Sequence, residues 1–326
     1  MKPFKVGIDA YSLKPLELDP FELLDWALLN DARGVQFSEP PKQAEDRGFL
    51  AELRDYARQN GLYLEWGGGQ HIPCDPMTGA AKDIAAGNRR VAEQAAFLGT
   101  KIVRSCSGGL MRWHDEAPAT EQLLEATARG LAAAAPVFRD LGVVLAVETH
   151  FEFTTFELLR AFDESGAEPD GPIGICLDTM NLLTMLEEPV AAARRVLPWV
   201  AATHVKDGGL RFAPRGWESF PAEAGKGVVD LARIVEALAS LPREITLSIE
   251  DHGGAFDLPV YDPEFLAKFP DLSVAELADL VRIAARTEEA MRAGALAVLD
   301  RPHWPAACEA RVKRDIRAVK AIVGAP

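Results

Sequence analysis

Two kinds of hydrophobic pattern alternate along this chain. Short continuous apolar runs occupy 4–9, 34–38, 63–66, 101–106, 143–148, 173–178, 200–205 and 245–250. Each reads as a strand buried on both faces of a parallel sheet. Between them, 21–30, 44–60, 81–98, 120–140, 156–165, 190–197 and 231–241 carry apolar residues at helical spacing. Gly34, Gly61, Gly99 and Gly142 stand between a helix and the next strand, where a left-handed cap is wanted. Pro189 suits a first helical turn. Eight strands alternating with helices is the count of a closed (β/α)8 barrel, so the expected fold class is α/β, a single TIM barrel. An open doubly wound sheet is the other arrangement of the same alternation, but no Gly-x-Gly-x-x-Gly follows the first strand.

Two segments exceed a minimal barrel. Residues 206–227 read as a long loop after the seventh strand, the usual place for a lid or binding loop. Residues 262–326 hold two more helical patterns, 273–294 and 306–323, expected to be an eighth barrel helix followed by an extra C-terminal helix packed on the barrel. Ser273 with Glu276 reads as a capping box opening the first of these. Although 326 residues allow two domains, the unbroken alternation makes 1–326 one domain with 262–326 as a helical extension.

Charge narrows the partners. A net charge of −14, with no run of five or more Lys/Arg, argues against nucleic acid. There is no stretch of 18 apolar residues, so no membrane span is expected, and the first residues turn polar too soon for a signal peptide. Cys74, Cys106, Cys176 and Cys308 form no Cys-x-x-Cys pair and are read as reduced thiols of a cytoplasmic protein.

The chemistry gathers at strand ends. Glu148, Asp178, His204 and Glu250 close or nearly close the fifth to eighth runs. In a barrel these positions point out of the carboxyl edge, where the chemistry of such folds sits. Two Glu, one Asp and one His converging there would form an oxygen-rich cage for a divalent metal, and the three carboxylates would repel strongly without a cation among them. Hard oxygen donors with one imidazole suit Mn²⁺ or Mg²⁺, with Co²⁺ or Zn²⁺ as alternatives. Five of six histidines, His71, His114, His150, His204 and His252, fall just after predicted strands, which supports an active site on that rim.

Several motifs resemble those of the xylose-isomerase-like TIM barrels, a superfamily of sugar isomerases and epimerases. The resemblance rests on Glu148-Thr149-His150, Leu177-Asp178-Thr179-Met180-Asn181, His204-Val205-Lys206-Asp207, Gly225-Lys226-Gly227-Val228-Val229-Asp230 and Ile249-Glu250. It implies that Glu148, Asp178, His204 and Glu250 bind one divalent metal. It also implies that Glu148 and Glu250 act as acid and base on a keto-sugar or related polyol through a metal-bound cis-enediolate. The chain departs from ketose 3-epimerases of this group, which often carry His where Asn181 stands and a Glu-Pro pair in the strand-five motif. The His-Val-Lys-Asp motif is closer to members resembling inosose dehydratases, so a lyase acting on a keto-sugar acid through the same intermediate is the alternative.

Strand alternation places Lys206 on the same side as His204, beside the substrate, and turns Asp207 the other way, to cap the loop. Lys206 is accordingly expected to be catalytic, and His150, two residues after Glu148, to reach substrate. Asn181 can hydrogen-bond a sugar hydroxyl. Trp66, His71, Arg104, Trp113 and Arg211 are further candidates for an aromatic and basic substrate wall, with Arg215 and Trp217 in the same loop as Arg211. Gln36 and Glu39 follow the second strand, and Gly67-Gly68-Gly69 would allow a ligand to approach the backbone closely. A DNA-repair endonuclease on the same barrel would need a basic surface, which the charge denies it. A non-catalytic sugar binder has no use for two opposed glutamates. The expected partner is a small carbohydrate or sugar acid. Self-association is common among such barrels, so a homo-oligomer is expected, with no interface assigned.

Overall fold

The computed structural model describes residues 4–324. The two ends of the expected 1–326 domain lie outside the described residues, as do the first residues, on which the signal-peptide reading rests. The strands are β1 Lys5–Asp9, β2 Gly34–Gln36, β3 Tyr63–Gly69, β4 Ile102–Ser105, β5 Val144–Glu148, β6 Ile173–Asp178, β7 Val200–Val205, β8 Asp207–Ala213, β9 Gly216–Ala222, β10 Thr246–Ile249 and β11 Phe256–Leu258. Eight of them close into a parallel barrel in the order β1-β10-β7-β6-β5-β4-β3-β2, with β2 pairing back onto β1. The fold is a TIM barrel, and its strands are the eight apolar runs of the sequence.

Helix starts follow local chemistry. Asp19 with Glu22, Thr154 with Glu157 and Ser273 with Glu276 each form a capping box, satisfying amide groups that a first helical turn leaves unpaired. The two C-terminal helices take each other's expected places. Trp304–Val323 packs on β1, β10 and the helix Leu231–Ala239, and so fills the eighth barrel position. Val274–Arg292 lies against β8 instead and is the helix beyond the barrel set.

The segment 206–227 is not a loop. β8 and β9 form an antiparallel hairpin with Arg211 opposite Glu218 and Phe212 opposite Trp217, and β11 adds a third strand. Asp207, at the start of β8, organises the return of the chain. Its carboxylate accepts from the backbone N–H groups of Gly225 (2.9 Å), Gly227 (3.0 Å) and Val229 (3.1 Å), so the predicted capping role holds. A Cβ on Gly227 would lie 2.1 Å from that carboxylate, so the Gly-Lys-Gly motif serves the fold. The glycines at 67–69 likewise serve neighbouring protein atoms and not a ligand. A Cβ on Gly67 would stand 2.0 Å from the carbonyl oxygen of Ser38.

Among the described residues no helix is long and apolar enough to cross a membrane.

Candidate active site

β5 and β6 end at Glu148 and Asp178, His204 is the penultimate residue of β7, and Glu250 follows β10 directly. Asp178 and His204 are register partners, as are His204 and Ser248, so barrel closure brings the four groups to one spot. One donor atom from each lies within 4.8 Å of the others, and all four residues are buried. The His204 Nδ1 atom is 3.3 Å from Glu148 Oε1, 3.6 Å from Glu250 Oε2 and 4.0 Å from Asp178 Oδ2.

These atoms fit a divalent cation by what they lack. Glu148 Oε1 and His204 Nδ1 are buried without a hydrogen-bond partner, and Asp178 Oδ2 has only the Lys206 ammonium, at 2.9 Å. Leaving a buried donor or acceptor unsatisfied costs about 1–3 kcal/mol, and here two such atoms lie 3.3 Å apart. The far nitrogen of the ring is engaged. His204 Nε2–H donates to Gln36 Oε1, and Gln36 Nε2 donates to Glu65 Oε2 at 2.6 Å. An outer partner of this kind fixes the tautomer that leaves the inner lone pair free for a metal. Asp9 Oδ2, also unpartnered, lies 3.6 Å from the same Nε2.

Two permanent cations flank the cluster. Arg104 Nε donates to Glu148 Oε2 at 2.6 Å. Lys206 Nζ lies 2.9 Å from Asp178 Oδ2 and donates to Glu250 Oε2 as well. It also reaches Asn181 Oδ1 and His252 Nε2, each at 3.5 Å. Asp9, Glu148, Asp178 and Glu250 therefore bring four carboxylates to two fixed positive charges, an imbalance that a divalent ion would offset.

Burial pushes the Glu148 carboxyl up, but Arg104 and then His204 outweigh it and hold the group well below the usual carboxylate range. Glu250 is likewise lowered against burial, by Lys206 and His204. Asp178 goes the other way. Burial, with Glu250 and Glu148 nearby, raises it despite Lys206. Burial opposes charge on His204, yet Glu148 and Glu250 lift the imidazole well above its ordinary value. Lys206 is raised against burial by Asp178 and Glu250, and stays an ammonium.

A second cluster stands beside the first. Cys106, His150 and Glu152 gather within 4.8 Å. Glu152 accepts from His150 Nδ1 at 3.2 Å, from the Ser107 hydroxyl and from the Gly109 N–H at 3.0 Å, so it orients His150. Burial opposes charge on His150, but Cys106 and Glu152 hold it well above the usual imidazole range. His252 is driven down to about 3 by burial and by Lys206.

A cavity of about 880 Å³ opens over the cluster, lined among others by Arg104, His150, Lys206, Glu250 and His252. Not every expected residue reaches it. Trp66 faces outward, donating Nε1–H to Gln94 Oε1 at 3.1 Å and packing on Phe37. Its neighbour Glu65 takes the inward place, because successive strand residues point to opposite sides. His71 pairs with Ser105 Oγ at 2.7 Å, and burial lowers its pKa to about 4. Trp113 donates to the Asp257 carbonyl at 2.7 Å, and Arg211 pairs with Glu218 across the hairpin. None of these four lines the cavity. Asn181 is buried behind Lys206 and does not line it either.

The structure adds Asp9, Glu65 and Glu152, and gives Gln36 a partner. Asp9 closes the first apolar run just as Glu148 and Asp178 close theirs, so the same rule would have found it. Nothing local marks Glu65 or Glu152.

The profile of the xylose isomerase-like TIM barrel family matches residues 24–317. The chain belongs to that family. A comparison with curated protein sequences finds no match. Among solved structures, the chain is similar to a D-psicose 3-epimerase from Clostridium cellulolyticum H10, at 15% identity over 86% of this chain and 99% of that one, TM-score 0.61. It is similar to the probable 3-DHS dehydratase AsbF from Bacillus anthracis, at 16% identity over 81% and 97%, TM-score 0.57. It is also similar to a 3-keto-D-glucoside 4-epimerase from E. coli, at 14% identity over 86% and 99%, TM-score 0.56. At these identities the likeness is one of fold.

Proposed function

We propose that this family member is a divalent-metal-dependent isomerase or epimerase of a keto-sugar or related polyol. The observation that carries the reading is the convergence of buried donor atoms from Glu148, Asp178, His204 and Glu250 within 4.8 Å of one another, with Glu148 Oε1 and His204 Nδ1 lacking any hydrogen-bond partner. Glu148, Asp178, His204 and Glu250 would hold the ion, Mn²⁺ or Mg²⁺ first, Co²⁺ or Zn²⁺ next. Such an ion polarises a carbonyl and its neighbouring hydroxyl, acidifying the carbon-bound hydrogen between them.

The chain's own residues do the rest. Glu148 and Glu250 would be the pair that takes and returns a carbon-bound proton, and the cations beside them leave each ionised and so able to start as the base. Return to the same carbon gives an epimer, and return to its neighbour an isomer. Lys206 stands beside Glu250 and donates to the substrate oxygen on which charge grows. His150, held by Glu152, offers a second donor to the substrate from the cavity wall. The four free cysteines support a cytoplasmic setting.

The buried ammonium of Lys206 also favours a second reading. A lysine fixed against two carboxylates is placed to bind a substrate carboxylate or to protonate a departing oxygen, as a dehydratase or other lyase of a keto-sugar acid requires.

Proton NMR of the Mg²⁺-loaded enzyme with keto-sugars and keto-sugar acids in D₂O tests both. Deuterium entering the carbon beside the carbonyl without loss of mass, and abolished in Glu250→Gln, is the expected result. Loss of water, CO₂ or a carbon fragment selects the lyase. Absence of exchange and of breakdown across the panel overturns both.

A further inference from the structure

The cavity is larger than a sugar alone needs. Ligand pockets of ~300–1,000 Å³ serve drug-sized molecules, and this one, at about 880 Å³, lies near the top of that range. Its wall has two parts. The inner part is the polar ring around Lys206 and Glu250. The outer part comes from the turn of 3-10 helix Ala10–Leu16, the start of helix Pro20–Leu29 and the segment after β2, where Tyr11, Leu18 and Pro41 offer apolar surface between the polar Lys14, Glu17 and Glu39.

A monosaccharide carries a hydroxyl on almost every carbon, and pressing those groups on hydrocarbon strips them of partners at a cost of about 1–3 kcal/mol each. The inner ring supplies what one sugar requires. The outer wall is suited to a flat apolar group. It is also held ready. The Tyr11 N–H donates to Asp9 Oδ1 at 2.8 Å, which ties this wall to the residue beside His204. The Tyr11 ring stacks on Trp304 with centroids 5.5 Å apart, and the Arg301 guanidinium lies 5.6 Å from the ring centroid. A side chain locked in this way loses little entropy when a ligand packs on it.

We propose that the substrate is a glycoside, with its keto-sugar ring at the Glu148–Asp178–His204–Glu250 cluster and an apolar, planar aglycone seated against Tyr11, Leu18 and Pro41. The sugar half of this assignment rests on the function proposed above, whereas the aglycone half rests on the cavity wall.

Calorimetric titration of the Mn²⁺-loaded full chain with 4-nitrophenyl β-D-glucopyranoside and with methyl β-D-glucopyranoside tests it. The aryl glycoside is expected to bind at least tenfold more tightly. Tyr11→Ala and, independently, the less buried Leu18→Gln are each expected to cut that ratio at least threefold, so the test survives if the tyrosine variant fails to fold. Equal affinities, a ratio unchanged in the folded variants, or no detectable binding of either probe overturns the proposal. Should free ketose show deuterium exchange while the two glycosides bind equally, the aglycone site falls and the isomerase reading stands. Should the aryl preference hold with no exchange on any keto-sugar, the aglycone site stands and the isomerase reading falls.

Discussion

His204 and Gln36, 168 residues apart in sequence, are joined by a hydrogen bond from the imidazole Nε2–H to the amide Oε1. That bond turns Nδ1 toward Glu148, Asp178 and Glu250. Gln36→Leu removes the acceptor and frees the ring, so Mn²⁺ affinity should fall about 10–100-fold, the usual effect of losing an outer partner of a ligating histidine. Counting free Mn²⁺ by electron paramagnetic resonance measures it. Unchanged affinity would mean that the backbone alone aims His204.

Lys206 and a bound cation would share the Asp178 and Glu250 oxygens. Lys206→Met keeps the stem and deletes the charge. The variant should bind Mn²⁺ at least as tightly as the parent and turn over at least ~10²-fold more slowly, since a positioned acid contributes 10²–10⁴. Weaker metal binding in this variant would count against the shared-oxygen geometry.

Metal binding should also depend on pH. Glu148 and Glu250 raise the His204 pKa, so a cation at Nδ1 must displace a proton. Affinity should rise by up to about tenfold per pH unit while His204 is protonated. The raised pKa stabilises the metal-free fold below the ordinary imidazole pKa, and that contribution is lost as pH rises through the elevated value. The gain from metal should therefore widen with pH. At a hundred times the dissociation constant it amounts to ~2.7 kcal/mol, or several degrees of melting temperature. Thermal melts with metal and with chelator at three pH values measure it, and a pH-independent difference would exclude proton displacement.

Outside the site, Arg112 and Glu157 form an ion pair in which both side chains are essentially inaccessible. Arg112 also donates to the Lys268 carbonyl and lies 4.8 Å from the Phe269 ring centroid, joining the turn Met111–Trp113, the start of helix Thr155–Ser165 and the segment 268–269. Arg112→Met should cost ~3–5 kcal/mol by stranding a buried carboxylate, and Arg112→Met with Glu157→Leu should recover much of it. Urea unfolding midpoints decide this. A double variant as unstable as the single one would show that the carbonyl and ring contacts dominate.

The eight barrel strands were legible because a parallel strand buried on both faces must be a continuous apolar run. The four candidate ligands were legible because a charged residue ending such a run has only the carboxyl edge to occupy. The hairpin β8–β9 was not, since Gly208-Gly209 and Pro214-Arg215-Gly216 resemble a loop until Arg211 meets Glu218 across the ladder. Trp66 was misplaced for a related reason. Alternation along a strand has a period that can be read, but which phase faces the lumen is set by neighbours, here Gln36 and Ser248 around Glu65. The two C-terminal helices changed places because either apolar face could cover the barrel, and only packing on β1 and β10 selects Trp304–Val323.

The sequence by itself thus determined the barrel, the rim that carries the chemistry and the residue types gathered there. Each follows from how one segment hides its apolar side chains from water. Tertiary structure alone decided that Gln36 orients His204, that Arg104 and Lys206 hold Glu148 and Glu250 ionised, and that Tyr11 lines the cavity over them. Those are contacts between strands far apart in the chain, and they exist only once the sheet has closed on itself.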